Sequence, residues 1–322
     1  MHSVAAIFDS LVLYRYSLIL ALAAGTGICF FLACCTYVQI PSRRASACAR
    51  AAVLLSLPLS RLIYWYERPN GFSSFLGALT SSTEAFALAG VFAGCSLAVL
   101  AFGGTGNRKK MLDCVCVAGC AGLALGRLGC FFTTMDRGQI LVRLTELPWA
   151  YPVVNASGQS EYRFATFLFQ AGCAALLGIF LAVMFFRKKT RPGDITILFL
   201  LFYSASQMLL DSTRYDSLYL RSNGFVSLVQ VLSAMGLAIV LTLLNIRAVY
   251  VFGWKIWMPS LWSILLALFA GVGYMEYYVQ RHGQEAALAY TAMGIYLAAI
   301  VSIGLLLWYL LHTKNSKKLP VH

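Results

Sequence analysis

An arginine inside an otherwise apolar run needs a chemical reason. Arg127 stands in Leu125-Gly126-Arg127-Leu128-Gly129-Cys130-Phe131, and a guanidinium at a membrane edge is costly unless it faces a cavity or a partner. It presents a flat, permanently charged fork suited to bidentate phosphate or carboxylate contacts. Gly126 and Gly129 beside it permit close backbone approach, or the tight bend that ends a helix. Read alone, the run equally describes a helix terminus with a snorkelling arginine. A second segment holds Tyr203, Gln207, Asp211 and Arg214, separated by four, four and three. That spacing predicts one polar helical face, turned to a bundle interior and serving either a site or helix–helix hydrogen bonds. A third, Tyr14-Arg15-Tyr16-Ser17, fits a site or an aromatic belt.

The elements that must position these residues are membrane helices. Sixty per cent of the 322 residues are apolar or aromatic and only 11% are charged, more than a soluble interior can hide. The length alone would suit two or three soluble domains, and this composition excludes them. Windows of roughly 20 apolar residues predict an all-α polytopic bundle of about nine spans. They fall near 12–37, 48–66, 83–103, 111–127, 165–186, 194–212, 224–246, 258–278 and 289–311. The fourth is short, with Asp113 at its start. Unbroken apolar runs argue against β-barrel strands, which alternate over about ten residues. With no basic segment before it and no small-residue cleavage site after it, the first span reads as a membrane helix and not a cleaved leader.

Charge predicts the orientation. All eight lysines, together with Arg43, Arg44, Arg50, Arg108, Arg187, Arg191 and Arg247, fall after odd-numbered spans or in the tail. Asp113 and Asp194 alone offset them there, so that side carries the whole +13 net charge. By the positive-inside rule it is cytoplasmic, with the N-terminus outside and the tail inside. The excess then reflects topology and contact with anionic lipid, and not nucleic-acid binding. The other side carries ten arginines, ten acids and no lysine. There Arg127, Arg137, Arg143, Arg163, Arg214 and Arg221 either bind an anion or pair with Asp136, Glu146, Glu161, Asp211 and Asp216. The outer loop 128–164 exceeds the ~12–15 residues beyond which loops tend to be functional, and is large enough for a small folded piece.

Ten cysteines show no framework spacing, and nine lie in or beside predicted spans, where thiols pack as small apolar groups. Cys114 and Cys116 lack companion ligands, and the four histidines lie at termini or in a late loop. Neither a metal site nor a Ser-His pair is expected, and no cofactor is called for.

Taken together, these residues resemble the prolipoprotein diacylglyceryl transferase family, seven-span enzymes of the bacterial cytoplasmic membrane. Gly126-Arg127-Leu128-Gly129-Cys130-Phe131 through Gly138 is similar to the family's Gly-Arg-Ile/Leu-Gly-Asn-Phe signature, which closes on a glycine. Tyr203 to Asp216 resembles its late Tyr, Arg, Glu and Arg stretch, followed by Gly224-Phe225 and Gln230-Val231-Leu232-Ser233. Arg15-Tyr16-Ser17-Leu18 and Ser60-Arg61-Leu62-Ile63-Tyr64 resemble the start of the first span and the end of the second. The likeness covers roughly 12–246 in the same order. It implies a core over 1–246 and two additional spans with a basic tail over 247–322.

The chain departs from the pattern in several places. A His-Gly-Gly or Tyr-Gly-Gly turn is replaced by Leu88-Ala89-Gly90, and the signature asparagine by Cys130. The later Asn and Glu become Thr133 and Met135, with Asp136 one place on; the late arginine is Gln207 and the glutamate Asp211. Arg127 and Arg214 are retained.

The resemblance implies transfer of diacylglycerol from phosphatidylglycerol to the lipobox cysteine of a prolipoprotein, with thioether formation and release of glycerol phosphate, at the outer side of the bacterial inner membrane. Its partners would be phosphatidylglycerol or a related anionic lipid and the prolipoprotein signal peptide. It implies Arg127, Asp211, Arg214 and Tyr16 as catalytic residues. Gly126, Gly129, Cys130, Gly138, Arg163, Tyr203 and Gln207 would bind substrate. Asp211 would position Arg214 or act as base, Asp136 is the other available carboxylate, and Tyr16 or Tyr203 would orient groups or relay a proton. The alternatives are a non-catalytic lipid- or lipoprotein-binding relative, a transporter, or an enzyme with a changed acceptor or lipid.

Overall fold

The computed structural model describes residues 15–67, 74–80, 86–133, 136–141, 149–154, 158–187, 190–215, 217, 226–282 and 286–316. In chain order these form α1 (Arg15–Tyr37), α2 (Ser42–Glu67), α3 (Phe75–Thr80), α4 (Leu88–Phe102) and α5 (Gly104–Leu128), which runs into a 3-10 turn (Gly129–Phe132). A hairpin of β1 (Ala150–Val154) and β2 (Ser160–Phe164) follows. Then come α6 (Thr166–Phe186), α7 (Asp194–Ser212), α8 (Leu228–Phe252), α9 (Trp257–Arg281) and α10 (Ala286–Ser316). Among the described residues, eight helices are long and apolar enough to cross a membrane: α1, α2, α5 with its turn, and α6 to α10. This is a multi-pass helical bundle.

Two segments differ from the sequence reading. The third expected span, 83–103, is the 15-residue α4, short of the roughly 20 residues a span needs. The fourth, expected only over 111–127, is among the longest, because the helix starts at Gly104 and carries Arg108, Lys109 and Lys110 in its opening turns. Hydropathy windows end where charge begins; the backbone helix does not.

The chain divides into two compact units, one of residues 1–196 and 213–222, the other of 197–212 and 223–322. In the first, α2 and α4 pack through small residues. A Cβ at Gly90 or Gly94 would run into the backbone of Ser60 or Ser56, and the Ser60 hydroxyl donates to the Ala87 carbonyl at 2.5 Å. Close approach of this kind, with a hydroxyl bridging the helices, holds membrane helices together where lipid removes the hydrophobic drive. Also in this unit, the Asp113 carboxylate on α5 accepts from the backbone N–H of Gly193 at 2.6 Å and of Thr196 at 2.9 Å. The Thr196 hydroxyl adds a third bond at 2.7 Å. Otherwise orphaned donors around the start of α7 are thereby satisfied.

The second unit buries Leu201 of α7 with Leu237, Val240, Leu241 and Leu244 of α8, Leu265 of α9, and Met293, Leu297 and Ile300 of α10. Ser227 caps α8 in a reciprocal capping box with Gln230.

Candidate functional site

The site is built where α5 ends. After the 3-10 turn, the chain from Asp136 to Leu141 runs beside β2. The Gly138 N–H donates to the Phe164 carbonyl at 2.7 Å, the Phe164 N–H to Gln139 at 3.1 Å, and the Leu141 N–H to Tyr162 at 2.8 Å. Its other edge pairs with the segment just after α7: Gln139 N–H to the Thr213 carbonyl at 3.2 Å, and Tyr215 N–H to the Arg137 carbonyl at 2.9 Å. The Thr166 and Thr213 hydroxyls meet at 2.9 Å. Residue 138 has to be glycine, since a Cβ there would lie within 3 Å of Phe164 and Thr166. Gly138→Ala is expected to cost about 1–3 kcal/mol of stability by overpacking, read as a lowered Tm of the purified protein; an unchanged Tm would show that the strands can part.

That pairing carries Arg214 to Asp136. Asp136 is 6% exposed and holds a left-handed φ of 54°, a conformation Asp tolerates better than most residues. One carboxylate oxygen accepts from Arg127 and from the Cys130 thiol, the latter at 3.3 Å. The other accepts from Arg214 at 2.8 Å. Burial pushes this carboxyl up, but the two guanidiniums and the hydrogen bonds from Arg127 and Cys130 outweigh it and hold it well below the ordinary carboxylate range.

Next to it, Arg137 is 3% exposed. It donates to the carbonyls of Cys130 at 2.9 Å and Thr133 at 2.7 Å, with its guanidinium 3.8 Å from the Tyr151 ring centre and 4.3 Å from that of Phe167. Hydrogen bonds and cation–π contacts thus lock the turn that follows Arg127. Arg127 and Arg214 therefore share the Asp136 carboxylate, with Arg137 buried beside them.

Tyr16 packs with Cys130, Ala165 and Phe167, and Gly129 lies against Tyr16 and Ile19 of α1. Gly126 is on the last turn of α5, close to Ala23 and Leu20. Arg163 pairs with Glu161 of its own strand at 2.5 Å and lies over the Tyr215 ring at 4.1 Å. The structure thus brings Arg127, Cys130 and Arg214 to one carboxylate, with Gly138 in the backbone beside them and Tyr16 packed on Cys130.

The four-residue polar face differs from expectation. α7 ends at Ser212, and Arg214 lies in extended backbone bridged to Gly138, so the spacing of three no longer places it on the face of Tyr203, Gln207 and Asp211. These three belong to the second unit. Tyr203 stacks on Phe199 with ring centres 5.0 Å apart, Gln207 is buried, and Asp211 accepts from the Ser227 hydroxyl of the α8 cap.

Among the proposed ion pairs, Arg143, Glu146, Asp216 and Arg221 lie outside the described residues, as do Met135, Gly224 and Phe225 of the resemblance. The sequence offers Asp136 as a base or a pairing partner, with nothing to place it at the centre, and Arg137 as one of many arginines. The signal for both is adjacency: an acid and an arginine side by side, nine and ten residues after Arg127. No group of three or more His, Cys, Asp or Glu placed to hold a metal occurs among the described residues.

Fold and site together define a polytopic membrane protein that gathers guanidiniums at the end of a spanning helix. A model of the prolipoprotein diacylglyceryl transferase family matches residues 3–246, and the chain belongs to that family. Curated relatives carry the name phosphatidylglycerol–prolipoprotein diacylglyceryl transferase. That of Acaryochloris marina is 28% identical over 242 residues, covering 71% of this chain and 85% of the relative. That of Synechocystis is 27% identical over 181 residues, 52% of this chain and 62% of the relative. For Gloeobacter violaceus the figures are 34% over 137 residues, 39% and 49%. Helices α9 and α10 lie beyond the family match.

Proposed function

We propose that the chain transfers the diacylglyceryl group of phosphatidylglycerol to the lipobox cysteine of a prolipoprotein, at the outer face of the bacterial cytoplasmic membrane. Family membership supplies the reaction class. The observation that carries the site is the convergence of Arg127 and Arg214 on Asp136 at the end of α5, two guanidinium forks that suit a lipid phosphate at a membrane surface. The positive-inside distribution of lysine supports the outward direction.

In the reaction, the acceptor sulfur forms a bond to the terminal glycerol carbon of the diacylglyceryl group as the bond from that carbon to the phosphate oxygen breaks. The electron pair leaves on glycerol phosphate. A phosphodiester monoanion and a thiol become a thioether and a phosphate monoester, so the thiol proton ends on the leaving phosphate or in water and the charge balances.

Arg127 is the principal ligand of the phosphate and Arg214 the second. A guanidinium has five N–H donors, so sharing Asp136 does not exhaust either. Asp136 is their orienting counter-ion; a carboxyl held so far below its ordinary value is a poor base for a thiol of pKa about 8.5. Tyr16, packed on Cys130, orients the acceptor or relays its proton. Asp211 holds the α8 cap through the Ser227 hydroxyl. Gly126, Gly129 and Cys130 shape the turn around the phosphate, and Arg163 stands on the strand paired beside it.

The test is transfer in vesicles. Purified protein with labelled phosphatidylglycerol and a lipobox peptide is expected to add a diacylglyceryl mass to the peptide cysteine. No increment, while a relative works in the same vesicles, would overturn the reading in favour of a lipid-binding relative.

A further inference from the structure

The opposite end of α5 carries a second collection of positive charge. A cavity of about 290 Å³ there is lined by Tyr37 and Gln39 after α1, Lys110 and Asp113 of α5, Phe185 of α6 and Arg191 before α7. Seventeen residues separate Lys110 from Arg127, about 25 Å of helix at 1.5 Å per residue, so this cavity and the Asp136 cluster lie at the two ends of one spanning helix. Lys110 and Arg191 are half-buried. Neither forms an ion pair among the described residues, in contrast to Arg127 and Arg214.

Asp113, the acid in this wall, already accepts three hydrogen bonds from Gly193 and Thr196. That fixes Arg191 and its loop against α5; the lining residues carry one net positive charge, and the Asp194 carboxylate behind the loop accepts from the Arg191 backbone N–H at 3.0 Å. Tyr37 donates its hydroxyl to the Phe186 carbonyl at 2.9 Å, which ties the α1 and α6 walls together. The volume is at the low end for a ligand site. It accommodates a headgroup, but not an acyl chain.

We infer that this cavity binds a phosphate group, that of an anionic phospholipid in the leaflet opposite to the Asp136 cluster or free phosphate. Lys110 and Arg191 are its ligands. The walls come from α1, α5, α6 and the loop before α7, so occupancy braces the three helices against that loop. The inference stands apart from the transfer reaction.

Full-length protein in detergent, titrated with dioctanoyl phosphatidylglycerol and read by native mass spectrometry, tests it. Wild type is expected to retain a lipid molecule that Lys110→Ala with Arg191→Ala loses, with binding about 30-fold weaker for two cations. Arg127→Ala should weaken a different molecule, and the two effects should add. Dioctanoyl phosphatidylcholine should not fill the site, because its headgroup has no net negative charge. Competition by millimolar inorganic phosphate would assign the site to free phosphate, and its failure to compete would assign it to the lipid.

Arg43→Ala with Arg50→Ala, at the same end but outside the cavity walls, should leave binding unchanged. Equal weakening by that pair, unaltered binding in the Lys110 and Arg191 variant, or equal retention of phosphatidylcholine would overturn the inference. Whether Arg127→Ala itself alters binding bears only on the transfer reading.

Discussion

Arg127→Ala is expected to lower transfer of diacylglyceryl to a lipobox peptide by about 10²–10³-fold, the usual effect of deleting one preorganised donor to developing negative charge. The size follows from where the residue is. Its guanidinium is at the end of a spanning helix, fixed by Asp136, and needs no reorganisation as charge builds on the leaving phosphate. Arg127→Lys keeps the charge but not the fork, so it should recover only part of the loss. Only Leu128 of α5 follows Arg127, so the spanning helix does not depend on this side chain and the protein should still insert and purify. Activity within a few-fold of wild type in Arg127→Ala would remove this residue from the phosphate site. A loss confined to KM for the lipid would make it a binding group that does not act on the transition state.

Much of this arrangement is legible in the chain itself. The apolar windows give the membrane helices, since a span's hydropathy is a local property. The cost of a guanidinium beside lipid singles out Arg127, and the order of motifs supplies the family. What is not legible depends on contacts distant in sequence. Asp136 reaches its place through a left-handed φ and through pairing of residues 137–139 with 213–215, and no local pattern announces either. The periodicity that unites Tyr203, Gln207 and Asp211 fails at Arg214 because it assumes a helix that has already ended at Ser212. Helix α4 is short for a related reason: an apolar window cannot tell a helix from the extended Ala87 before it.

The departures from the family pattern also become intelligible. The resemblance places Cys130 where the family carries asparagine, an exchange that looks damaging on paper. In the structure the thiol donates to Asp136 at 3.3 Å, as an amide N–H could, so the position keeps a donor to the carboxylate. A thiol is the weaker donor, and the heavier share of holding Asp136 falls on the two arginines.

That share makes Asp136→Asn the second large effect. Breaking a buried pair by removing one partner costs about 3–5 kcal/mol, because the remaining charge is left uncompensated. Here two guanidiniums lose one counter-ion, and the neutral amide would turn its NH2 donors toward at least one of them. The variant is expected to melt well below wild type and to lose transfer as severely as Arg127→Ala.

The pH dependence has a definite sign. The folded carboxyl titrates below the ordinary ~3.9 of an aspartate, so its contribution is complete above that value and is lost as pH falls toward the depressed one. The difference in stability between wild type and Asp136→Asn should therefore stay constant from about pH 6 to 9 and close only below about pH 4. Thermal melts of the two proteins across that range are the measurement. A gap that narrows near neutral pH would mean that the Asp136 carboxyl titrates there. It would then be available as the base for the acceptor thiol, and the role of fixed counter-ion would be lost.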